Sequence, residues 1–364
     1  MLVNNRFVDK YLIMRRYYFI SFSLTLQSKK LFIQDTMRIE IFTRYKQLPE
    51  LINSSTIHSA HFFNVLERSE GCKPYMLVAY DKDEKEIGHL LIVKRRDIRL
   101  FPPVLTYWYS ILGEGVYRED FKNREEIFTL FLEKVFDMFD FRHAFIEVQN
   151  IEDSRFAYST LYKHEFVPMK DQRMYISLHS KNPQERLTRS YRAHIRKAEN
   201  NGVTYKRATS ADDIDAGLHL LRNYYISKTR RKLPSKKALF SILYNNDGTL
   251  SEKASLFIVQ YKGKIIGSSI CLYDKNRANL AYSCGLRKSY PMQYPGIMAI
   301  WAALTDAYKK GYDHFEFLEV RAIPRLHSKF INTLLNFGGK QIGTLRWYHF
   351  KWNWINKILR KIYV

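Results

Sequence analysis

The sequence predicts an α/β (α+β) fold of two tandem, similar halves, each a mixed, mostly antiparallel sheet flanked by helices. Three repeated landmarks predict it. A hairpin of Leu77-Val78-Ala79-Tyr80, a charged turn and Ile87-Gly88 returns as Phe257-Ile258-Val259-Gln260-Tyr261, a Lys-Gly-Lys turn and Ile266-Gly267. Phe145-Ile146-Glu147-Val148 returns as Phe317-Leu318-Glu319-Val320, and Phe166 returns as Phe337 in Asn336-Phe337-Gly338-Gly339. One order at one spacing of roughly 170 residues marks a duplicated domain, not a short solenoid repeat. At 364 residues, 46% of them hydrophobic, the chain is long enough for two units that each bury a core. The expected limits are 37–180 and 181–350, with a basic, aromatic tail over 351–364.

The second half reads clearly in order. Val203 to Ala208 is a strand, and Asp212 to Lys228 and Ser235 to Tyr244 carry helical periodicity. Ser255 to Tyr261, Lys264 to Tyr273 and Ala278 to Gly285 are three strands, the first two joined by a Lys262-Gly263 turn. Pro295 to Lys310 is a helix with Pro and Gly at its start and Gly311 past its end, the usual terminal asymmetry. Phe315 to Val320 is a strand, His327 to Phe337 a helix and Lys340 to Phe350 a last strand. The first half, from Met37 to Leu178, reads in the same order.

Between the halves, Arg186 to Glu199 forms an amphipathic helix. Leu187, Tyr191, Ile195 and Ala198 line one side, and Arg189, Arg192 and Arg196 line another. Asn200-Asn201-Gly202 ends it. Three guanidiniums on one stripe face solvent, carboxylates of the other domain, or a phosphate-bearing ligand.

The net charge of +23 is unevenly spread. Residues 181–240 hold fifteen Lys and Arg against five Asp and Glu, and from Val320 onward there are nine basic residues and no acidic one. Such clusters favour anionic partners: nucleic acid, a nucleotide-bearing substrate or an acidic membrane face. A solvated basic face is the plain alternative. Three cysteines without metal-ligand spacing give no disulfide framework and point to a reducing, cytoplasmic compartment. No metal site is expected. Tyr11 to Leu26 is too short and too charged, at Arg15 and Arg16, to span a membrane, and lacks a signal peptide's order. Residues 1–36 read as an extension or a misassigned start. The aromatic and cationic mix from Trp347 to Val364 reads either as an interfacial segment for anionic lipid or as a packed last strand and helix.

The element order β-α-α-β-β-β-α-β-α-β resembles that of the GNAT (Gcn5-related N-acyltransferase) fold. Arg192-Ala193-His194-Ile195-Arg196-Lys197-Ala198-Glu199-Asn200-Asn201-Gly202-Val203 resembles the inter-domain signature of Fem-like transferases (FemA, FemB, FemX). So do Phe166-Val167-Pro168, Tyr175-Ile176-Ser177-Leu178, Tyr294-Pro295-Gly296 and Phe337-Gly338-Gly339. The resemblance covers roughly residues 40–350. It implies tandem GNAT-like domains and transfer of an amino acid from aminoacyl-tRNA to the stem peptide of a peptidoglycan precursor. Two departures concern the substrate: Leu220 to Ser255 is too short for the family's helical arm, and Thr333 and Leu334 stand where members often carry Phe-Lys.

N-acyl transfer requires an amine to lose a proton and a carbonyl to be polarised, with both held in line. In GNAT-like folds the reactive centre lies where two central strands splay apart, here Ala278–Gly285 and Phe315–Val320. Glu319 is the candidate base, the alternative being a carboxylate kept for the fold, since Glu147 matches it in the first half. Tyr282 is a candidate proton donor to the leaving group, and Lys329 a further cation for the same cleft. Cys284 lacks a patterned histidine and is a poor nucleophile. The Gly-rich pyrophosphate loop of acetyl-CoA users is absent. In its place Arg287-Lys288-Ser289-Tyr290-Pro291-Met292-Gln293-Tyr294-Pro295-Gly296 leads into a helix whose start suits phosphate. Arg287 and Lys288 add charge, and Tyr290 and Tyr294 offer rings for stacking. The donor is acyl-CoA or aminoacyl-tRNA, with no tightly bound cofactor. A tRNA would span Arg189, Arg192 and Arg196 and the cluster Arg230, Arg231, Lys232.

Two readings follow. One is an N-acyltransferase acting on an amine of a nucleotide- or lipid-linked cell-envelope precursor or polysaccharide, cytoplasmic and peripheral to the inner membrane face. The other is a GNAT scaffold without catalysis that binds RNA or anionic membrane.

Overall fold

The computed structural model describes residues 37–52, 55–96, 106–121, 123–179, 181–229, 233–245, 247–317 and 328–363. The expectations for residues 1–36 and for Glu319, Arg230 and Arg231 lie outside the described residues, as does the side chain of Lys329.

The first half runs β1 (Arg38–Phe42), α1 (Ala60–Glu67), β2 (Cys72–Tyr80), β3 (Glu86–Arg96), β4 (Tyr107–Leu112), the short β5 (Val116–Tyr117), α2 (Arg124–Asp137), β6 (His143–Gln149), α3 (Tyr158–Lys163) and β7 (Val167–Ser177). A single turn, α4 (Pro183–Arg186), and the connector helix α5 (Arg189–Asn200) follow. The second half runs β8 (Val203–Arg207), α6 (Ala211–Tyr224), α7 (Lys236–Leu243), β9 (Ala254–Tyr261), β10 (Lys264–Asp274), β11 (Arg277–Gly285), α8 (Pro295–Lys309), β12 (His314–Phe317), α9 (Ser328–Asn336) and β13 (Lys340–Phe350). The tail forms a helix, α10 (Asn353–Tyr363). The second half has the expected order. In the first half the described residues hold one α-helix between β1 and β2 where the second half has two.

Local chemistry explains the helix starts. Ser59, Thr188, Ser210 and Ser235 each accept a backbone N–H of the first turn, satisfying a donor that would otherwise lack a helical partner. Strand alternation then sorts the core onto two faces. Leu77 and Ala79 of β2 pack with α2 and α3, whereas Met76 and Val78 pack with α1. Likewise Phe257 and Val259 of β9 face α5, α8 and α9, while Leu256 and Ile258 face α6 and α7.

The thirteen described strands form one sheet in the order β1-β2-β3-β4-β6-β13-β7-β12-β11-β10-β9-β8, with β5 added beside β3. β4 and β6 pair in parallel, as do β11 and β12, and the rest pair antiparallel. The last strand of each half is given to the other: β13 lies against β6, and β7 lies against β12. The two exchanged strands then pair with each other. Asp171 and Thr344, the fifth residue of each strand, are mutual partners, so a local two-fold axis passes between them.

Equivalent residues repeat around this axis. Arg346 of β13 bonds Glu147 of β6 at 2.6 Å, and Arg173 of β7 bonds Glu316 of β12 at 2.5 and 2.7 Å. Tyr348 is the ladder partner of Glu147, and Tyr175 that of Glu316. The structural counterpart of Glu147 is therefore Glu316, not Glu319 as the Phe-x-Glu-Val match suggests. The ladder register decides this, because a strand's neighbours count residues from the shared hydrogen bonds, not from a similar tetrapeptide.

Candidate functional site

Each half holds a parallel strand pair among its described residues. In the first half β4 and β6 stay joined through Leu112 and Gln149, and Gly113 N–H donates to the Gln149 carbonyl at 2.8 Å. In the second half β11 and β12 pair in parallel from Arg277 and His314 to Leu280 and Phe317, the last described residue of β12.

The helix starts beside these strands differ between the halves. Tyr294 is left-handed (φ 45°, ψ 47°) and turns the chain into α8, which begins Pro295-Gly296 without a side-chain cap and without an acid in its first turn. Gly267 and Gly285 let this turn press onto the sheet. A Cβ on Gly285 would lie 2.2 Å from Gly296 N, and one on Gly267 2.7 Å from the Pro295 carbonyl oxygen. A Cβ on Gly296 itself would meet nothing within 4 Å among the described residues. The result is a helix N-terminus whose Gly296 and Ile297 N–H groups have no hydrogen-bond partner among the described residues.

In the first half the matching place is filled. Gly88, the counterpart of Gly267, is crossed by Tyr117 and the Val116 carbonyl, each 2.8 Å from its would-be Cβ. The first turn of α2 carries Glu125 and Glu126, which repel an anion. Glu114 folds its carboxylate onto the N–H groups of Ile151, Glu152 and Asp153 at 2.7–3.0 Å. His58 sits under Gly113, its Nε2 2.9 Å from where a Cβ would be, and its Nδ1 accepts the Leu91 N–H at 3.1 Å.

Burial, with His89 and Lys275 nearby, pushes the His58 pKa down to about 3. The unfolded chain binds that proton from about pH 6.5, so this contribution to stability is present above 6.5 and falls as pH drops towards 3. Between pH 7 and pH 5 His58 is expected to remove about 2 kcal/mol of stability. Denaturant titrations at both pH values should show that much less acid sensitivity in His58→Gln. An unchanged slope would mean that His58 takes up its proton without unfolding.

Around the α8 start the charges are positive. Arg287 and Lys288 are exposed in the turn before it, and Tyr290 packs edge-on against Tyr261. His194 of α5 stacks on Tyr294 at 4.3 Å and 20°. Its pKa is lowered by burial and then by Arg287 and Lys197, which brings those two cations to the same spot. His194 and Lys197 were not singled out from the sequence. The signal was present in the His-x-x-Lys spacing of α5, next to the arginine stripe. Arg189 and Arg196 are exposed, Arg192 is half-buried and caps the Leu187 carbonyl, and none ion-pairs with a carboxylate among the described residues.

Tyr282 is half-buried on β11 and packs edge-on against Tyr225 at 5.8 Å. Burial pushes the Cys284 thiol up to about 12, which disqualifies it as a nucleophile at neutral pH. Glu316 is held by Arg173 and by Arg277 at 2.9 Å. Both oxygens of this carboxylate are thus engaged by guanidinium groups. Among the described residues no His, Cys, Asp or Glu cluster could hold a metal. Separately, a cleft of about 810 Å³ opens near the local two-fold, lined by Arg155, Tyr158, Lys170, Gln172 and Gly343. No described helix is long and apolar enough to cross a membrane.

Residues 185–322 match the family model described as an acetyltransferase (GNAT) domain. No curated protein matches this chain by sequence. Among solved structures the chain is similar to FemX, with a TM-score of 0.60 and 12% identity over 89% of this chain and 99% of that one. It is also similar to the C-terminal domain (DUF2156) of a putative lysylphosphatidylglycerol synthetase from Agrobacterium fabrum, with a TM-score of 0.52 and 11% identity over 85% and 92% of the two chains. L-PGS from Bacillus licheniformis aligns with a TM-score of 0.50 and 12% identity over 84% and 91%. Identities this low speak for architecture alone, and the architecture is a Fem-like, GNAT-type fold.

Proposed function

We propose that this protein is an N-acyltransferase whose second half receives a phosphate-bearing acyl donor at the start of α8. It passes an aminoacyl or acyl group to an amine of a cell-envelope precursor, a peptidoglycan stem peptide or a polysaccharide. The observation that carries the donor site is the contrast between the halves. The α8 N-terminus has no acid in its first turn, a Gly296 whose Cβ position is clear among the described residues and the exposed Arg287 and Lys288 in the turn before it, whereas the matching place in the first half is filled by Tyr117 and faced by Glu125 and Glu126. Helix N–H groups and cations hold the phosphates, and the acyl carbonyl reaches β11 near Tyr282. Glu319 remains the proposed base, because Glu316 is taken by its two arginines. FemX and the lysylphosphatidylglycerol synthetases support the envelope reading of the acceptor. The arginines of α5, which make no ion pair with a carboxylate among the described residues, favour aminoacyl-tRNA over acyl-CoA together with Arg230 and Arg231, since each phosphate neutralised adds affinity.

The test offers aminoacyl-tRNA and acyl-CoA separately to the purified protein with envelope precursors. Gly296→Ala should leave thermal stability unchanged or slightly raised, because Ala is the better helix former and nothing stands in its way. Donor affinity should nevertheless fall roughly tenfold, as the methyl occupies the phosphate's place. Arg287→Ala with Lys288→Ala should weaken donor binding and flatten its salt dependence. Donor affinity untouched by both changes would move the donor away from α8. Nucleic-acid binding without turnover on any precursor would leave a scaffold in place of an enzyme.

A further inference from the structure

The helix α10 presents its apolar stripe outward. Its inner side is anchored by the buried Asn356, which accepts the Phe350 N–H at 2.8 Å and donates to the Phe350 carbonyl at 2.9 Å. Ile355 and Leu359 are partly buried beside it. On the opposite side Trp354 (63% exposed), Ile358 (49%) and Ile362 (66%) follow one another at four-residue spacing, so they form a single ridge. Trp352 and Tyr363 extend the exposed apolar surface at either end. Among the described residues nothing packs on this ridge.

The charges beside the ridge identify what covers it. Lys357 and Lys361 lie next to it on the helix surface, Lys351 and Arg360 stand nearby, and no acidic residue occurs from Val320 onward. A second copy of the chain would set two such cationic helices against each other, which is repulsive. An anionic bilayer satisfies both features at once: acyl chains take the aliphatic ridge, the headgroup boundary suits tryptophan, and lipid phosphates meet the lysines. The helix also reaches the cleft near the local two-fold. Arg360 stacks over the Tyr162 ring at 4.1 Å, Tyr162 stacks with Tyr158, and Tyr158 lines that cleft.

We propose that α10 docks this protein peripherally onto anionic phospholipid bilayers, with Trp354, Ile358 and Ile362 entering the headgroup boundary and Lys357 and Lys361 on the lipid phosphates. The proposal stands independently of the acyl-transfer reading. Its test is sedimentation of the full chain with phosphatidylcholine vesicles, with and without phosphatidylglycerol. Wild type should sediment with the phosphatidylglycerol vesicles, be released by high salt, and stay largely in solution with phosphatidylcholine alone. Trp354→Ser, Ile358→Ser and Ile362→Ser combined should lower the partition coefficient roughly tenfold or more at unchanged thermal stability, because all three side chains are exposed. Lys357→Glu with Lys361→Glu should abolish the preference for phosphatidylglycerol. Wild type that fails to bind phosphatidylglycerol vesicles, or a serine variant that binds as wild type does, overturns the proposal. A wild-type dimer that the serine variant converts to a monomer also overturns it, by assigning the ridge to a second copy.

Discussion

Arg346→Met is expected to cost about 3–5 kcal/mol of folding stability, as removal of one partner from a buried ionic network does. Arg346 is 8% exposed, and its guanidinium bonds Asp171 at 2.7 and 2.9 Å and Glu147 at 2.6 Å. Burial alone would lower its pKa, yet Glu147 and Asp171 carry it above the usual arginine value. Without the cation two neighbouring carboxylates are left inside the sheet at the strand-exchange point. The equivalent change in the second half, Arg173→Met, is expected to cost less, because Glu316 keeps Arg277. Urea titrations of both variants check the difference. Equal losses would mean that Arg277 does not compensate Glu316 and that the two clusters are energetically alike.

Gly285→Ala is expected to destabilise the protein by about 3 kcal/mol, at the upper end of ordinary overpacking. The new methyl would fall 2.2 Å from Gly296 N and 2.6 Å from Gly296 Cα, and both are backbone atoms that no rotamer change can move. The start of α8 has to lift from the sheet. Donor affinity should therefore fall with stability, whereas Gly296→Ala lowers donor affinity alone. Thermal melts and donor titrations of the two variants side by side test this. A Gly285→Ala protein with native stability and native donor affinity would show that the close approach of β11 and α8 is not needed.

Much of the candidate site was legible because its cues are local. The Pro-Gly helix start, the cations before it and the missing Gly-rich loop all lie between Arg287 and Gly296. His194 and Lys197 were missed because they come from another helix, and only packing stacks His194 on Tyr294. The pairings of Glu147 with Arg346 and of Glu316 with Arg173 were invisible for the same reason: each joins residues more than a hundred positions apart, in strands from opposite halves.

The second-half elements follow from periodicity and end signals. Strand β13 spans Lys340 to Phe350 as read, and α8 ends one residue early. By itself the sequence determined the element types, the duplicated order, the positive charge near the α8 start and the amphipathic character of α5 and the tail. The tertiary structure alone decided that β7 and β13 change places, that a single sheet results, and that Glu316 takes the position of Glu147. The physical reason is that backbone hydrogen bonds accept a strand from either half equally well. The choice between halves rests on side-chain pairings across the ladder, such as Arg346 with Glu147 and Asp171, and these exist only once distant segments have met.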